Sequence, residues 1–270
     1  MNRAVVFPGQ GSLGGETSGS VRAAVLEYLG DREVPYQLAV FANSVDLLYR
    51  LRDAGIDGDV VAGHSLGEYA AAHAAGSLGL EDGVRLVAER DRLMNEASRK
   101  TPGGMVALIG ADPDAVVEAT EGSGGAVVAA NFNSPRQVVI SGRLDALEEV
   151  TEGLKGRKVP LRVAGAFHSP LMAEAAREMD VLLDGVEFGE PGIPIIGATE
   201  GTLLTTANGV RNTLRNQMLS PVRWVSVVER LLELGVREIY EAGEDGTLTR
   251  MLRDFKRRDV TSKTVGEVLA

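Results

Sequence analysis

The pentapeptide Gly63-His64-Ser65-Leu66-Gly67 constrains this chain more than any other stretch. A turn and a short apolar run, residues 55–62, precede it, and Glu68-Tyr69 and the Ala-rich residues 70–75 follow. The order is strand, sharp turn, helix, the setting in which a G-x-S-x-G serine stands exposed on a strained turn. The flanking glycines let two backbones approach closely. The helix N-terminus behind the serine leaves N–H groups free to hold an oxyanion. A Gly/Ser turn without chemistry would have the same composition, so the motif is a hypothesis for the rest of the chain to decide.

A chain of 270 residues accommodates one large domain, or a large domain carrying a smaller insert. There is no cysteine, which excludes disulfides, thiol nucleophiles and thiolate metal sites and fits a reducing compartment. No apolar run reaches the ~20 residues that span a bilayer. The apolar part of residues 1–8 is too short for a secretory signal and reads as a buried first strand, so the expected location is cytoplasmic. The net charge of -10 argues against a general nucleic-acid binder. An acidic protein partner would need a local basic patch, and Arg250, Arg253, Lys256, Arg257 and Arg258 form one, although a solvated helix face is the first reading of such a cluster.

Apolar spacing predicts helices over residues 45–54 and 83–97. Residues 104–110 then read as a strand, 112–120 as a helix with Pro113 in its first turn, and 125–131 with 137–141 as a strand pair around the turn 133–136. A helix over 144–154 and a strand over 158–163 follow. That order, β-α-β-β-α-β, is the ferredoxin-like arrangement, set between two halves of a larger α/β unit. Beyond it, 172–183 and 222–234 read as helices and 192–196 and 238–241 as strands, while 13–20 is Gly/Ser-rich and reads as a loop.

A serine hydroxyl needs a base, and the chain offers His64, His73 and His168. His64 adjoins the serine on a sharp turn and should point away from it. His73 lies about two turns into the following helix and reads as a surface or a packing residue. His168, in Gly165-Ala166-Phe167-His168-Ser169, lies where the insert rejoins the larger unit and is the best placed of the three. Arg90 has the pattern of a surface residue among Arg85, Glu89 and Arg92; buried in a cleft, it would instead hold a carboxylate. Gly9-Gln10-Gly11-Ser12 is a glycine turn after the first strand.

Five ordered motifs carry a resemblance: Phe7-Pro8-Gly9-Gln10-Gly11-Ser12, Gly63-His64-Ser65-Leu66-Gly67-Glu68-Tyr69, Asn131-Phe132-Asn133-Ser134-Pro135 with Gln137 to Gly142, Gly165 to Ser169, and Pro221-Val222-Arg223-Trp224. Together they resemble the malonyl-CoA:acyl carrier protein transacylases and the polyketide acyltransferases, through nearly the whole chain. The resemblance implies an α/β-hydrolase-like core over residues 1–101 and 167–270 and a ferredoxin-like insert over 102–166. It implies Ser65 as nucleophile, His168 as its base, and the N–H groups of Gln10 and Leu66 as the oxyanion hole. Gln217 orients the histidine through its carbonyl, Arg90 holds the malonyl carboxylate, and Met94, Asn133 and Phe167 line the cleft. Leu66 and Phe167 go with malonyl rather than methylmalonyl. Malonyl-CoA is then a substrate, a phosphopantetheinylated acyl carrier protein the partner, and no metal, permanent cofactor, nucleic acid or membrane is implied.

Two departures from the family pattern stand out. Only about 25 residues separate Gly11 from Gln37, fewer than the family usually has, and acidic residues occupy Gly243-Glu244-Asp245-Gly246, where Pro-Gly is common. The alternatives are an editing thioester hydrolase of the same fold, a subunit that binds carrier protein without chemistry, and a transferase for a substituted malonyl or a carrier-to-carrier acyl group. Arg90 argues against a hydrolase of neutral acyl chains, which has no use for a buried unpaired cation.

Overall fold

The computed structural model describes residues 1–12, 15 and 17–270. Its first strand, β1 (Arg3–Phe7), alternates its side chains between two cores: Val5 and Phe7 face one, Ala4 and Val6 the other. Two helices follow, α1 (Gly19–Leu29) and α2 (Tyr36–Asp53), and then β2 (Val60–Gly63), parallel to β1. The serine turn leads into α3 (Gly67–Ala74), and α4 (Leu80–Lys100) runs on to the second sheet.

That second sheet contains β3 (Gly104–Ile109), β4 (Val127–Ser134), β5 (Gln137–Gly142) and β6 (Arg157–Pro160), with α5 (Pro113–Gly122) and α6 (Leu144–Glu152) between them in sequence. Its order is β4-β5-β3-β6, every pairing antiparallel. Leu108, Val116, Val138, Ile140 and Leu147 form its own small core beneath α5 and α6.

The chain then returns through α7 (Ala173–Asp184), β7 (Ile195–Ile196), β8 (Leu203–Leu204), α8 (Ala207–Asn216), α9 (Trp224–Glu233), β9 (Glu238–Glu241), α10 (Thr247–Leu252), β10 (Thr261–Thr264) and α11 (Val265–Leu269). Among the described residues the first sheet has the order β10-β9-β1-β2-β7-β8, parallel except for β8. β1 is the point from which the chain winds outward in both directions, and a crevice at the carboxyl ends of β1 and β2 is where such a sheet binds ligands. β4 of the second sheet is tied through main chain to the segment just before α9: Phe132 N donates to Val222 O and Val222 N to Ala130 O, both at 2.8 Å.

Several elements extend beyond their sequence patterns. The helix expected over 45–54 starts at Tyr36, and that over 83–97 spans Leu80–Lys100. The turn expected at 133–136 is only Pro135-Arg136, because β4 continues through Asn133 and Ser134 by two register shifts against β5. The strands expected over 158–163 and 192–196 are shorter, at Arg157–Pro160 and Ile195–Ile196. In the expected loop 13–20, Leu13, Gly14 and Glu16 lie outside the described residues, and α1 begins at Gly19, burying Val21, Ala24, Val25 and Leu29 against the core that holds α2 and α4.

Candidate active site

The turn after β2 is built by exclusion of side chains. A Cβ on Gly63 would lie 2.0 Å from the Gly67 carbonyl carbon, and one on Gly67 would lie 2.1 Å from the Phe7 oxygen. Glycine at both places lets β1, β2 and α3 meet, and the residue between them is forced into left-handed backbone: Ser65 has φ 52°. Such a conformation costs on the order of 1–3 kcal/mol outside glycine, and it is retained here at the one serine that faces the cavity beside a histidine.

His168 also has positive φ, at 57°, and its ring completes the pair. Ser65 Oγ lies 2.7 Å from His168 Nε2. His168 Nδ1 faces two backbone carbonyls, Gln217 at 2.8 Å and Ser220 at 3.0 Å. Carbonyls only accept, so the proton of the neutral ring sits on Nδ1, and Nε2 is the free base that takes the serine proton. Gln217 is the C-cap of α8, so its carbonyl belongs to the partly negative end of a helix, which favours imidazolium as it forms. In the resting site the opposite holds: burial first, and then the Arg90 guanidinium, push the His168 pKa down to about 4.

Arg90 is 1% exposed, far from the surface residue its neighbours suggest. It donates to Ser65 Oγ at 3.2 Å from one terminal nitrogen, to Gln37 Oε1 from the other, and to Gln217 Oε1 at 3.2 Å from Nε. All three acceptors are neutral, and none of the ion pairs among the described residues involves Arg90. The guanidinium touches the serine hydroxyl but is not among the groups that line the open cavity. Burial lowers its pKa, and the nearby Tyr69 and Glu68 raise it.

The cavity in front of the serine has a volume of about 340 Å³. Gly9, Gln10, Met94, Asn133, Phe167 and His168 are among the residues that line it. The turn Gly9–Ser12 is closed by Ser12 N donating to Gly9 O at 3.3 Å, which leaves the N–H groups of its two central residues, Gln10 and Gly11, unused by the turn. Leu66 is the N-cap residue of α3, so its N–H takes no part in the helix's own hydrogen bonds. His64 points away from the serine: its Nε2 donates to Asn133 Oδ1 at 2.8 Å, and Asn133 Nδ2 donates on to Gln137 Oε1 at 2.7 Å. The opposite wall is apolar, with Met105, Ala107, Val139, Val159 and Val163 from the second sheet and the strand exit.

Two residues of this network escape sequence reasoning. Gln37 is 1% exposed in the first turn of α2, where Leu38, Val40 and Phe41 are buried with it; an amide among those apolar residues is the signal that could have found it. Glu68, in the first turn of α3, reads as an ordinary helix N-terminal charge, yet it is buried and touches Ala198 N and Gln217 Nε2, both at 2.9 Å. Burial pushes its pKa up to about 8, against the pull of those donors and of Arg90. His73 packs against Tyr49 away from the cavity, as expected.

Comparisons with known proteins agree with this geometry. The family model described as acyl transferase domain matches residues 29–266. A malonyl CoA-acyl carrier protein transacylase of Bacillus subtilis is 34% identical over 287 aligned positions, covering 94% of this chain and 90% of the relative. Its counterpart in Synechocystis is 33% identical, covering 99% and 98%. The crystal structure of the Synechocystis malonyl-CoA:ACP transacylase superposes with a TM-score of 0.90 at 31% identity, covering 99% of this chain and 98% of that one. A malonyl-transacylase solved in complex with its type II PKS acyl-carrier protein superposes at 0.88 and 31% identity, covering 98% and 96%. With the family model and full-length relatives in agreement, this chain belongs to the acyl transferase domain family, among the malonyl-CoA:acyl carrier protein transacylases.

Proposed function

We propose that this chain moves a malonyl group from malonyl-CoA, through an ester on Ser65, to the phosphopantetheine thiol of an acyl carrier protein, in fatty-acid or polyketide synthesis. The observation that carries the reading is Arg90: a buried guanidinium hydrogen-bonded only to neutral oxygens, 3.2 Å from the Oγ that would bear the acyl group. A buried cation without an anionic partner is costly, and an acyl group ending in a carboxylate supplies that partner when it arrives.

The steps follow from the contacts. His168 Nε2 takes the Ser65 proton as Oγ attacks the thioester carbonyl, and the negative oxygen is held by the Gln10 and Leu66 N–H groups. Losing one such donor typically costs about 3–4 kcal/mol of barrier. The Gln217 and Ser220 carbonyls steady the imidazolium in the place a triad gives to a carboxylate. Collapse breaks the C–S bond, and His168 returns the proton to the departing CoA sulfur. The carrier thiol then gives its proton to His168, attacks the malonyl ester, and Ser65 recovers the proton. The chemistry draws on the chain's own groups and two thiol-bearing partners.

Arg90 is the carboxylate clamp in this reading. Phe167, 5% exposed beside His168, leaves little room for an α-branch and supports malonyl over methylmalonyl. Met94 and Asn133 shape the cavity. The exposed Arg250, Arg253, Lys256, Arg257 and Arg258 follow closely on Thr247, Leu248 and Met251 at the cavity wall, which supports the docking of an acidic carrier there. The parallel sheet with its strand-turn-helix serine supports an α/β-hydrolase-like core over residues 1–101 and 167–270. The β-α-β-β-α-β order supports a ferredoxin-like insert over 102–166. No helix among the described residues is long and apolar enough to cross a membrane, and no cluster of metal-binding side chains occurs among them.

Mixing the protein with malonyl-CoA and a phosphopantetheinylated carrier, and weighing the carrier by mass spectrometry, tests the reading. Malonylated carrier is expected. Free malonate with an unmodified carrier would instead identify a hydrolase.

A further inference from the structure

Glu68 does not line the cavity, yet it grips Gln217, whose backbone carbonyl meets the base and whose side chain meets the cation. It is 4% exposed, and both of its oxygens face N–H donors: Oε1 accepts from the Ala198 amide and Oε2 from Gln217 Nε2, each at 2.9 Å. The second hydrogen of Gln217 Nε2 goes to the Ser65 carbonyl at 3.3 Å. With both N–H bonds directed at oxygens, the amide is fixed one way round, and its Oε1 is left to accept from Arg90 Nε at 3.2 Å. A side-chain amide has nearly the same shape in either orientation, so the acceptors on its far side decide which end the guanidinium meets. Turned over, Gln217 would aim N–H groups at a cation, and Arg90 would keep only Gln37 and the serine hydroxyl.

We infer that Glu68 is a positioning residue for acyl-group selection, holding the Gln217 amide so that its oxygen anchors Arg90 beside Ser65. The inference rests on the reading of Arg90 as the carboxylate clamp. It separates two tasks carried by Gln217: the backbone carbonyl serves His168, and the side chain, under the control of Glu68, serves Arg90. Loss of Glu68 therefore weighs on acyl groups that end in a carboxylate far more than on acyl groups that do not.

Glu68→Gln tests this. The Ala198 N–H still needs an acceptor, so the new amide turns its nitrogen toward Gln217 and drives that side chain over. The readout is acyl-enzyme formation from malonyl-CoA and from acetyl-CoA at pH 9, where Glu68, with its pKa raised to about 8, is ionised and accepts at both oxygens; each rate is resolved into kcat and KM, with melting temperature as the check on folding. The malonyl-to-acetyl ratio of kcat/KM is expected to fall by about fivefold or more, the scale of losing one hydrogen bond to a charged group, with the loss mainly in the malonyl KM. A ratio that falls by less, including a loss shared equally by both substrates, overturns the inference, because a merely structural role would affect the two alike. If that variant does not fold, Glu68→Met fills the same space without a polar atom, frees the amide, and carries the same expectation and the same overturning result. A wild-type protein with no malonyl preference removes the Arg90 reading and this inference together; a wild-type preference that survives both variants removes this inference alone.

Discussion

Two histidines in this molecule make the same pair of hydrogen bonds. His168 sets Nδ1 against backbone carbonyls and Nε2 against a hydroxyl, Ser65 Oγ at 2.7 Å. His73 sets Nδ1 against the Leu78 carbonyl at 3.0 Å and Nε2 against the Tyr49 hydroxyl at 2.8 Å. Burial lowers the pKa of both rings. The difference lies in what surrounds the hydroxyl. Ser65 sits at positive φ on a turn between strand and helix, faces the cavity, and is touched by a buried guanidinium. Tyr49 sits inside α2, and burial raises its phenol pKa further from ionisation. A base beside a hydroxyl is a common packing solution; it becomes a nucleophile where the fold also supplies space, N–H donors and a charge to receive the substrate.

The comparison can be broken most directly at the two rings. His168→Ala is expected to slow acyl-enzyme formation by about 10⁴-fold or more, judged by quenched-flow mass spectrometry. Arg90→Ala comes next. It should reduce malonyl transfer by roughly 3–5 kcal/mol, or about 10²–10⁴-fold, while acetyl transfer falls much less. A competition assay between the two thioesters reads that difference, and an unchanged malonyl preference would remove Arg90 from the account.

The acid side of the pH profile sharpens the contrast further. His168 must be neutral to take a proton, and its pKa is lowered to about 4. At saturating malonyl-CoA, single-turnover acylation should therefore stay level from pH 7, below the Glu68 transition at about 8, to about 5 and fall only as pH drops through about 4; a limb near the ordinary imidazole value of ~6.5 would contradict the buried, Arg90-flanked ring. The stability effect carries the same sign. A ring whose folded pKa is depressed favours the native state fully above the unfolded value of ~6.5 and loses that contribution as pH falls from there toward about 4. The smallest effect belongs to the other ring: His73→Ala should leave acylation within about twofold and cost ~1 kcal/mol in a denaturant melt, the price of its hydrogen bonds.

The parts of this site that were legible in the sequence are those with local causes. Ser65 is announced by the glycines that the turn requires, and His168 by elimination among three histidines. Arg90 is legible only through family resemblance, because its neighbours Arg85, Glu89 and Arg92 share one helix, and only the packing of α1, α2 and α7 decides which face is buried. Glu68 and Gln37 were missed for a related reason. Their partners lie far away in the chain, Ala198 and Gln217 for the first and Arg90 for the second, so no window of sequence contains the contact. Among the elements, β7 and β8 are two residues each and exist only through pairing with a neighbour already in place. α8 buries only Val210 and Leu214, too sparse an apolar stripe to read as a helix, yet its final carbonyl end is what holds the catalytic ring.

The central claim is that Ser65 carries a malonyl ester chosen by the cation beside it. Intact-protein mass spectrometry after exposure to equal amounts of malonyl-CoA and acetyl-CoA tests it most directly. A single malonyl adduct, mapped to the Ser65 peptide and absent in Ser65→Ala, is the predicted result. An adduct that is mainly acetyl, or that persists in Ser65→Ala, would contradict it.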